Sequence, residues 1–363
     1  MSFPTGPDYE PAPFPHSTPR EAQPDPYTLV PPPHGVRVRH DRRWLPWALL
    51  AMTLVTTTLA GGCHYASFVQ GFREPVLDTA GPGPGTLVEW LAAFAVGLVA
   101  AVVTAIRLAL DIKFMAGGLW FSLTVLAILG CHEMGHYIAC LRYGVDATRP
   151  FFLPAPLPLT GTLGAFIRIR SRIPTKTALF DIGIAGPIAG FVVAVPALFI
   201  GLALSHVEKL PADMAGMMTL GEPLLFQAVK RIVFGTIPQG YDINMHPMAF
   251  AAWFGLLATA LNLFPIAQLD GGHISYAVLG RRSLWVTMTM AVVAIGLTFV
   301  SASWIAWTVM LVLMLVLVGP HHPPTLDDHT PISTGRLWLA LFALVMLAIC
   351  FTPAPLDPLI TGQ

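Results

Sequence analysis

Residues 115–136 read MAGGLWFSLTVLAILGCHEMGH, an apolar run that ends in His132-Glu133-Met134-Gly135-His136. Its length and lack of charge predict a helix, and in a helix residues four apart lie on one face, one turn apart. His132 and His136 then stack on that face with Glu133 beside them. Ionisable groups are costly in an apolar helix of this kind, and where a chain keeps them they mark a function.

Working outward, the 363-residue chain is 55% hydrophobic and only 11% charged, with a mean hydropathy of +0.66. A soluble core could not absorb that much apolar surface, so the expected fold is an all-α polytopic membrane protein embedded in a lipid bilayer. Twenty Lys and Arg balance twenty Asp and Glu. No basic excess is left to neutralise phosphates, which excludes a nucleic-acid partner. The four cysteines, Cys63, Cys131, Cys140 and Cys350, have no C-x-x-C or framework spacing and read as small packing hydrophobes.

Four regions are expected: a disordered Pro-rich tail over 1–43, N-terminal transmembrane helices over 44–114, a core over 115–282, and C-terminal transmembrane helices over 283–363. The tail lacks the basic start and apolar stretch of a signal peptide. About eight spans are predicted, since roughly 20 apolar residues cross about 30 Å of hydrocarbon. They lie near 44–66, 87–110, 115–136, 178–204, 247–264, 284–300, 305–318 and 337–351. An amphipathic piece is expected around 223–234, within an extramembrane excursion over 205–246.

Residues 142–177 differ from the spans. Pro150, Pro154, Pro156 and Pro158 forbid a regular helix, while Phe166, Arg168, Arg170 and Arg172 alternate with Ala165, Ile167, Ile169 and Ile173. A short β-hairpin with one apolar face, partly inserted in the membrane, is the expectation; such backbone is tolerated there when protein or a wet cavity covers it. Gly183, Gly186 and Gly190 in the next span read as a small-residue face for close helix packing. The span that begins near Pro247 breaks at Pro265, just before Asp270-Gly271-Gly272.

Arg142, Arg149, Arg168, Arg170, Arg172 and Lys176 all follow the histidine-bearing span. By the positive-inside rule that end faces the cytoplasm, and counting forward brings Asp270, Arg281 and Arg282 to the same side. Counting backward puts Arg37, Arg39, Arg42 and Arg43 outside, against the rule, so the orientation of the first two spans stays open.

H-E-x-x-H on a helix supplies two metal-ligating histidines and a general base. A catalytic zinc site has three protein ligands and an open position. Asp270 is the best third ligand, with Asp181 the main rival and His273 a weaker one. An ordinary Asp-Gly turn is the plain alternative for Asp270. The competing function is an ion- or proton-conducting membrane protein or a catalytically inactive relative. Conduction would call for further ionisable residues along the spans and gives no reason for Glu133 directly after His132.

H-E-M-G-H, L-G-A-F-I-R-I-R-S, F-D-I-G-I-A-G-P-I-A-G and N-L-F-P-I-A-Q-L-D-G-G-H, spread between Leu119 and Arg282, together resemble the site-2 protease family of intramembrane zinc metalloproteases. The match is to the bacterial and plastid-type members that lack a PDZ insertion. The resemblance implies zinc held by His132, His136 and Asp270, Glu133 as catalytic base, and single-span membrane proteins as substrates. It identifies the hairpin with a membrane-reentrant β-loop that pairs with unwound substrate, which makes Gly164 and Phe166 candidate substrate contacts. Asn262 matches an asparagine upstream of L-D-G, either contacting substrate or bonding helix to helix. A bacterial inner membrane, with the site towards the cytoplasm, is the expected location. His321 and His322, outside the shared core, read as a solvated loop rather than a metal site.

Overall fold

The histidine-bearing run forms the long helix at the centre of the protein. In the computed structural model, which describes residues 44–72, 111–155, 157, 159–211, 218–301 and 303–358 together with isolated positions between 92 and 107, that helix extends over Ile112–Arg142. It is preceded by α1 (Leu45–Gln70), and we label it α2. At about 1.5 Å per residue its 31 residues span about 46 Å, more than the hydrocarbon core requires. Asp111 starts it by accepting a 2.9 Å hydrogen bond from the Lys113 amide. Phe121, Val125, Ile128, His132 and His136 form one continuous buried stripe on it, while Leu123, Ile138 and Leu141 on other faces are exposed. The histidines therefore occupy core positions.

A hairpin follows, β1 (Phe151–Pro154) against β2 (Thr162–Phe166), antiparallel with Phe151 opposite Phe166 and Phe152 opposite Ala165. Then come α3 (Lys176–Ala203), β3 (His206–Lys209), β4 (Met218–Leu220), α4 (Leu224–Phe234), β5 (Tyr241–Asn244), α5 (Pro247–Leu263) and α6 (Asp270–Leu279). A single 3-10 turn (Gly280–Arg282) leads into α7 (Ser283–Leu297), and α8 (Ser303–Val318), α9 (Thr334–Cys350) and β6 (Leu356–Pro358) complete the described chain. The strands form three two-stranded ladders, β1–β2, β3–β5 and β4–β6, and no closed sheet among the described residues.

Among the described residues, four helical stretches are long and apolar enough to cross a membrane: α1, α2, α3 and the continuous run Asp270–Leu297. Helices α5, α8 and α9, with 17, 16 and 17 residues, are shorter apolar elements. The span expected over 87–110 lies mostly outside the described residues, as does the tail over 1–43. The amphipathic piece expected near 223–234 is α4.

The core sits where α2, α3 and α5 meet, around Phe121, Ile128, Leu198, Leu202, Trp253 and Leu256. Small residues let the helices approach: a Cβ on Gly61 of α1 would collide with the Gly118 backbone of α2. Thr57 and Ser122 join the same pair of helices through a 2.6 Å hydrogen bond. Pro265 ends α5 because it has no amide hydrogen to extend the helical ladder. Gly271 and Gly272 tuck the start of α6 beneath that end, against the Leu263 and Ala267 carbonyls.

The hairpin is shorter than the alternation that predicts it. The alternation over 165–173 suggested strand throughout, yet β2 stops at Phe166. Beyond it the chain makes an isolated bridge, Ile169 opposite Ala147, with Arg170 N donating to Asp146 O at 2.8 Å. The apolar members, Ile167, Ile169 and Ile173, instead pack beside Cys140, Val145 and Ile182. The period of two is satisfied by packing on the ends of two helices.

Candidate metal centre

His132 and His136 point from the buried face of α2 towards the first residue of α6. Their Nε2 atoms are 3.1 Å apart, and Asp270 brings Oδ2 to 3.2 Å from His132 Nε2 and Oδ1 to 3.3 Å from His136 Nε2. Both histidines are about 95% buried. Of the contenders for a third ligand, the fold brings Asp270 to the pair. Asp181 lies in α3 and is held elsewhere, by Arg336 Nε and Nη2 at 2.8 and 2.7 Å and by the Tyr143 hydroxyl. His273, one turn into α6, turns its Nδ1 to His322 Nε2 at 2.7 Å.

Two ring nitrogens and a carboxylate facing one point at these separations have the chemistry of a zinc site. Donors at about 2.0–2.2 Å from a tetrahedral ion stand about 3.3 Å from one another. No other group of three His, Cys, Asp or Glu among the described residues converges this way. The backing atoms fit as well. His136 Nδ1 lies 2.7 Å from the Ile182 carbonyl, which can only accept, so Nδ1 carries the hydrogen and Nε2 presents a lone pair.

Helix α3 shapes the other side of the centre. A Cβ on Gly186 would overlap the His136 ring, one on Gly190 would come within 3.2 Å of His132 Cβ, and one on Gly183 within 2.9 Å of His273 Cβ. The glycines expected to serve helix packing alone thus make room for the histidines themselves. That the partner would be an imidazole is invisible in a small-residue pattern.

Glu133 is buried beside the ligand atoms, its Oε1 4.0 Å from His132 Nε2, and the backbone of Ile167 lies in hydrogen-bond reach of its carboxyl. Asn262 Nδ2 is 3.2 Å from His132 Nε2, so this side chain borders the centre across 130 residues of chain. These groups, with Phe166, Gln268 and His273, line a cavity of about 250 Å³. Of the two hairpin residues singled out from sequence, Phe166 reaches the cavity. Gly164 is not among its lining; with φ +105° it sits inside β2 where the register against β1 shifts, and its amide donates to Thr162 Oγ1 at 3.0 Å.

The loop between α8 and α9 corrects a second expectation. His321 is exposed, as a solvated histidine should be, but His322 stacks on Tyr276 with ring centroids 4.5 Å apart and bonds to His273. Tyr276 in turn donates to Asp328 Oδ2 at 2.8 Å. Residues 319–330 are strapped across α6 behind the centre, a contact with no local sequence signal.

The model of peptidase family M50 matches residues 120–303, about half of the chain. The chain is similar to the probable chloroplastic zinc metalloprotease EGY2 of Oryza sativa subsp. indica, with 28% identity over 303 residues, 77% of this chain and 53% of that protein. It is also similar to EGY2 of Arabidopsis thaliana, with 29% identity over 283 residues, 72% of this chain and 50% of that protein. The probable zinc metalloprotease EGY1 of Arabidopsis thaliana is 29% identical over 246 residues, 66% of this chain and 44% of that protein. The chain spans about half the length of the curated relatives it matches.

Proposed function

Because the chain belongs to peptidase family M50, we propose that it is a zinc-dependent endopeptidase that cleaves single-span membrane proteins within their membrane segments. The observation that carries this reading is the convergence of His132, His136 and Asp270, with Glu133 alongside, among helices apolar enough to lie in a bilayer. A binding or conducting role would not require a base held 4.0 Å from a ligand nitrogen.

His132, His136 and Asp270 would hold zinc, which would supply Lewis acidity towards water and a substrate carbonyl. Hydrolysis adds water across the C–N bond, so one proton must travel from that water to the departing amide nitrogen. Glu133 accepts it on a carboxylate oxygen and returns it to nitrogen. To Asn262, whose Nδ2 lies 3.2 Å from His132 Nε2, this reading gives a hydrogen bond donated where negative charge builds on the carbonyl oxygen.

A peptide bond inside a helix is shielded and already hydrogen-bonded, so substrate must unwind before it reacts. Strand addition gives the unwound segment replacement backbone partners. Support comes from β2, which pairs only with β1 among the described residues and borders the cavity through Ala165 and Phe166. The basic residues from Arg142, at the end of α2, to Lys176 support an orientation in the membrane with this end at the cytoplasmic face.

Parallel measurements on the purified protein and on Glu133→Gln test the assignment. Both should contain zinc, and only the unaltered protein should cleave a model transmembrane substrate. Cleavage by Glu133→Gln at an undiminished rate would remove Glu133 from the chemistry.

A further inference from the structure

A second depression adjoins the cavity at the metal centre. It measures about 640 Å³ and shares Phe166, Ile167, Ile169, Gln268 and His273 with that cavity. One wall is the chain leaving β2, residues 166–173. The other is the strap between α8 and α9, represented by His322 to Thr325.

The groove is built rather than left over between loosely placed loops. Leu326 N donates to Ile173 O at 3.1 Å and Asp327 N to Pro174 O at 2.8 Å, which joins strap to opposite wall through backbone. His322 meets His273 at 2.7 Å, and Asp328 receives the Tyr276 hydroxyl at 2.8 Å. Both walls are therefore referred to α6, the helix that carries Asp270.

Its charge is one-sided. Arg168 and Arg172 line the groove and are exposed, and among the described residues no carboxylate lines it. Asp328, close by on the strap, is engaged by Tyr276 and Thr325. Arg170, between the two arginines in sequence, is not part of the lining, and its Nη1 lies 4.0 Å from Asp146 Oδ2.

We propose that this groove is a specificity subsite for acidic residues in the substrate segment that continues from the scissile bond into water, with Arg168 and Arg172 as the recognising cations. The inference rests on the peptidase reading above, because the peptide in the groove is the continuation of the one in the metal cavity. Continuity with that cavity favours a peptide over a lipid headgroup. An anionic headgroup would have no reason to reach Gln268 and His273 beside the metal ligands. Exposed guanidinium–carboxylate contacts are individually weak, so the subsite biases the choice among substrates and leaves the chemistry unaltered.

The test uses three single-span model substrates that differ only in three consecutive flanking residues: aspartates, asparagines or lysines. The full chain should prefer the aspartate substrate to the lysine substrate by about fivefold in kcat/KM, as two weak ion pairs allow. The preference should shrink as salt is raised. Arg168→Glu/Arg172→Glu should reverse the order, and Arg168→Lys/Arg172→Lys should keep it, with unchanged zinc content in both showing an intact centre. Affinities of the three peptides for Glu133→Gln, read without turnover, should rank in the same order. An equal ranking in wild type and the charge-reversed variant overturns the proposal. So does a uniform slowing of all three substrates that appears only in vesicles of anionic lipid, which would make the groove a headgroup site. If wild type cleaves no substrate while the affinities still follow charge, the peptidase reading fails and the acidic-peptide subsite stands.

Discussion

Gly186 faces the imidazole of His136 with no space for a side chain: a Cβ there would overlap the ring around Nε2. One turn earlier on the same helix, the Ile182 carbonyl takes the hydrogen of His136 Nδ1 at 2.7 Å. Helix α3 therefore holds one ring nitrogen and clears space for the other. This pairing orients the ligand more tightly than α2 could alone.

Gly186→Ala should consequently lose zinc while keeping its helical content. Overpacking of this kind costs about 1–3 kcal/mol, and here it falls on the ring around Nε2, the atom that faces His132 and Asp270. Gly190→Ala, whose Cβ would meet His132 Cβ at 3.2 Å, should be milder. Metal analysis with circular dichroism separates the two; full zinc occupancy in Gly186→Ala would contradict the arrangement.

Asp270→Ala and Asp181→Ala should behave oppositely. The first removes a group within 3.3 Å of both histidines and should abolish tight zinc binding. The second breaks the two-point contact with Arg336 that joins α3 to α9, and should lower stability by about 1 kcal/mol with zinc retained. Zinc content and thermal unfolding, measured on both, decide the matter.

The hairpin turn depends on one glycine. Gly161 sits at φ +67° against the backbone of Thr56 and Thr57, and its carbonyl accepts from Thr56 Oγ1 at 2.6 Å. Alanine there costs about 1–2 kcal/mol in backbone strain before any collision with α1. Gly161→Ala should lower kcat/KM for a transmembrane substrate by about tenfold with zinc content unaltered, since each 1.4 kcal/mol is a factor of ten in the docked population. Unchanged kinetics would mean that α1 does not set the hairpin.

Docking of the strap should weaken with acid in two stages. Burial against Tyr276 and His273 holds the His322 pKa below its ordinary 6.5, outweighing the Pro323 carbonyl and the Asp328 charge, which act the other way. Burial alone would raise the pKa of Asp328, but hydrogen bonds from Tyr276 and Thr325 keep it below 3.8. In both cases the released strap binds more protons than the docked one, so docking strengthens as pH rises. The His322 contribution is complete above 6.5 and fades as pH falls from there; that of Asp328 is complete above 3.8 and goes last. Protection of the amides over 319–330, taken as the observed exchange rate against the intrinsic rate at each pH, should fall between pH 7 and pH 5 in the wild type. In His322→Phe this first stage should vanish, and a wild-type profile flat over that range would refute the coupling.

Several features could be read before any fold was known, because they follow from backbone geometry over one or two turns. Apolar length marked α2 and α3, and the spacing of His132 and His136 placed both on one face. Pro265 marked the break before Asp270. The strand pattern was half legible: alternation over 165–173 was real, but Ile169 and Ile173 spend it on the ends of α2 and α3 rather than on a ladder. A period of two reports which side of a chain is apolar and cannot say what covers that side.

Local spacing by itself determined the helical character of the protein, the pair of histidines with their glutamate, and three contenders for the remaining ligand. Tertiary structure alone brought Asp270 among those contenders to the histidine pair, set the α3 glycines against the histidine rings, and drew His322 out of its loop onto α6. The physical reason is range. Helix and strand periods arise from bonded geometry between near neighbours, whereas the meeting of His132 with Asp270 and Asn262 is set by how α2, α3, α5 and α6 fill the space between them.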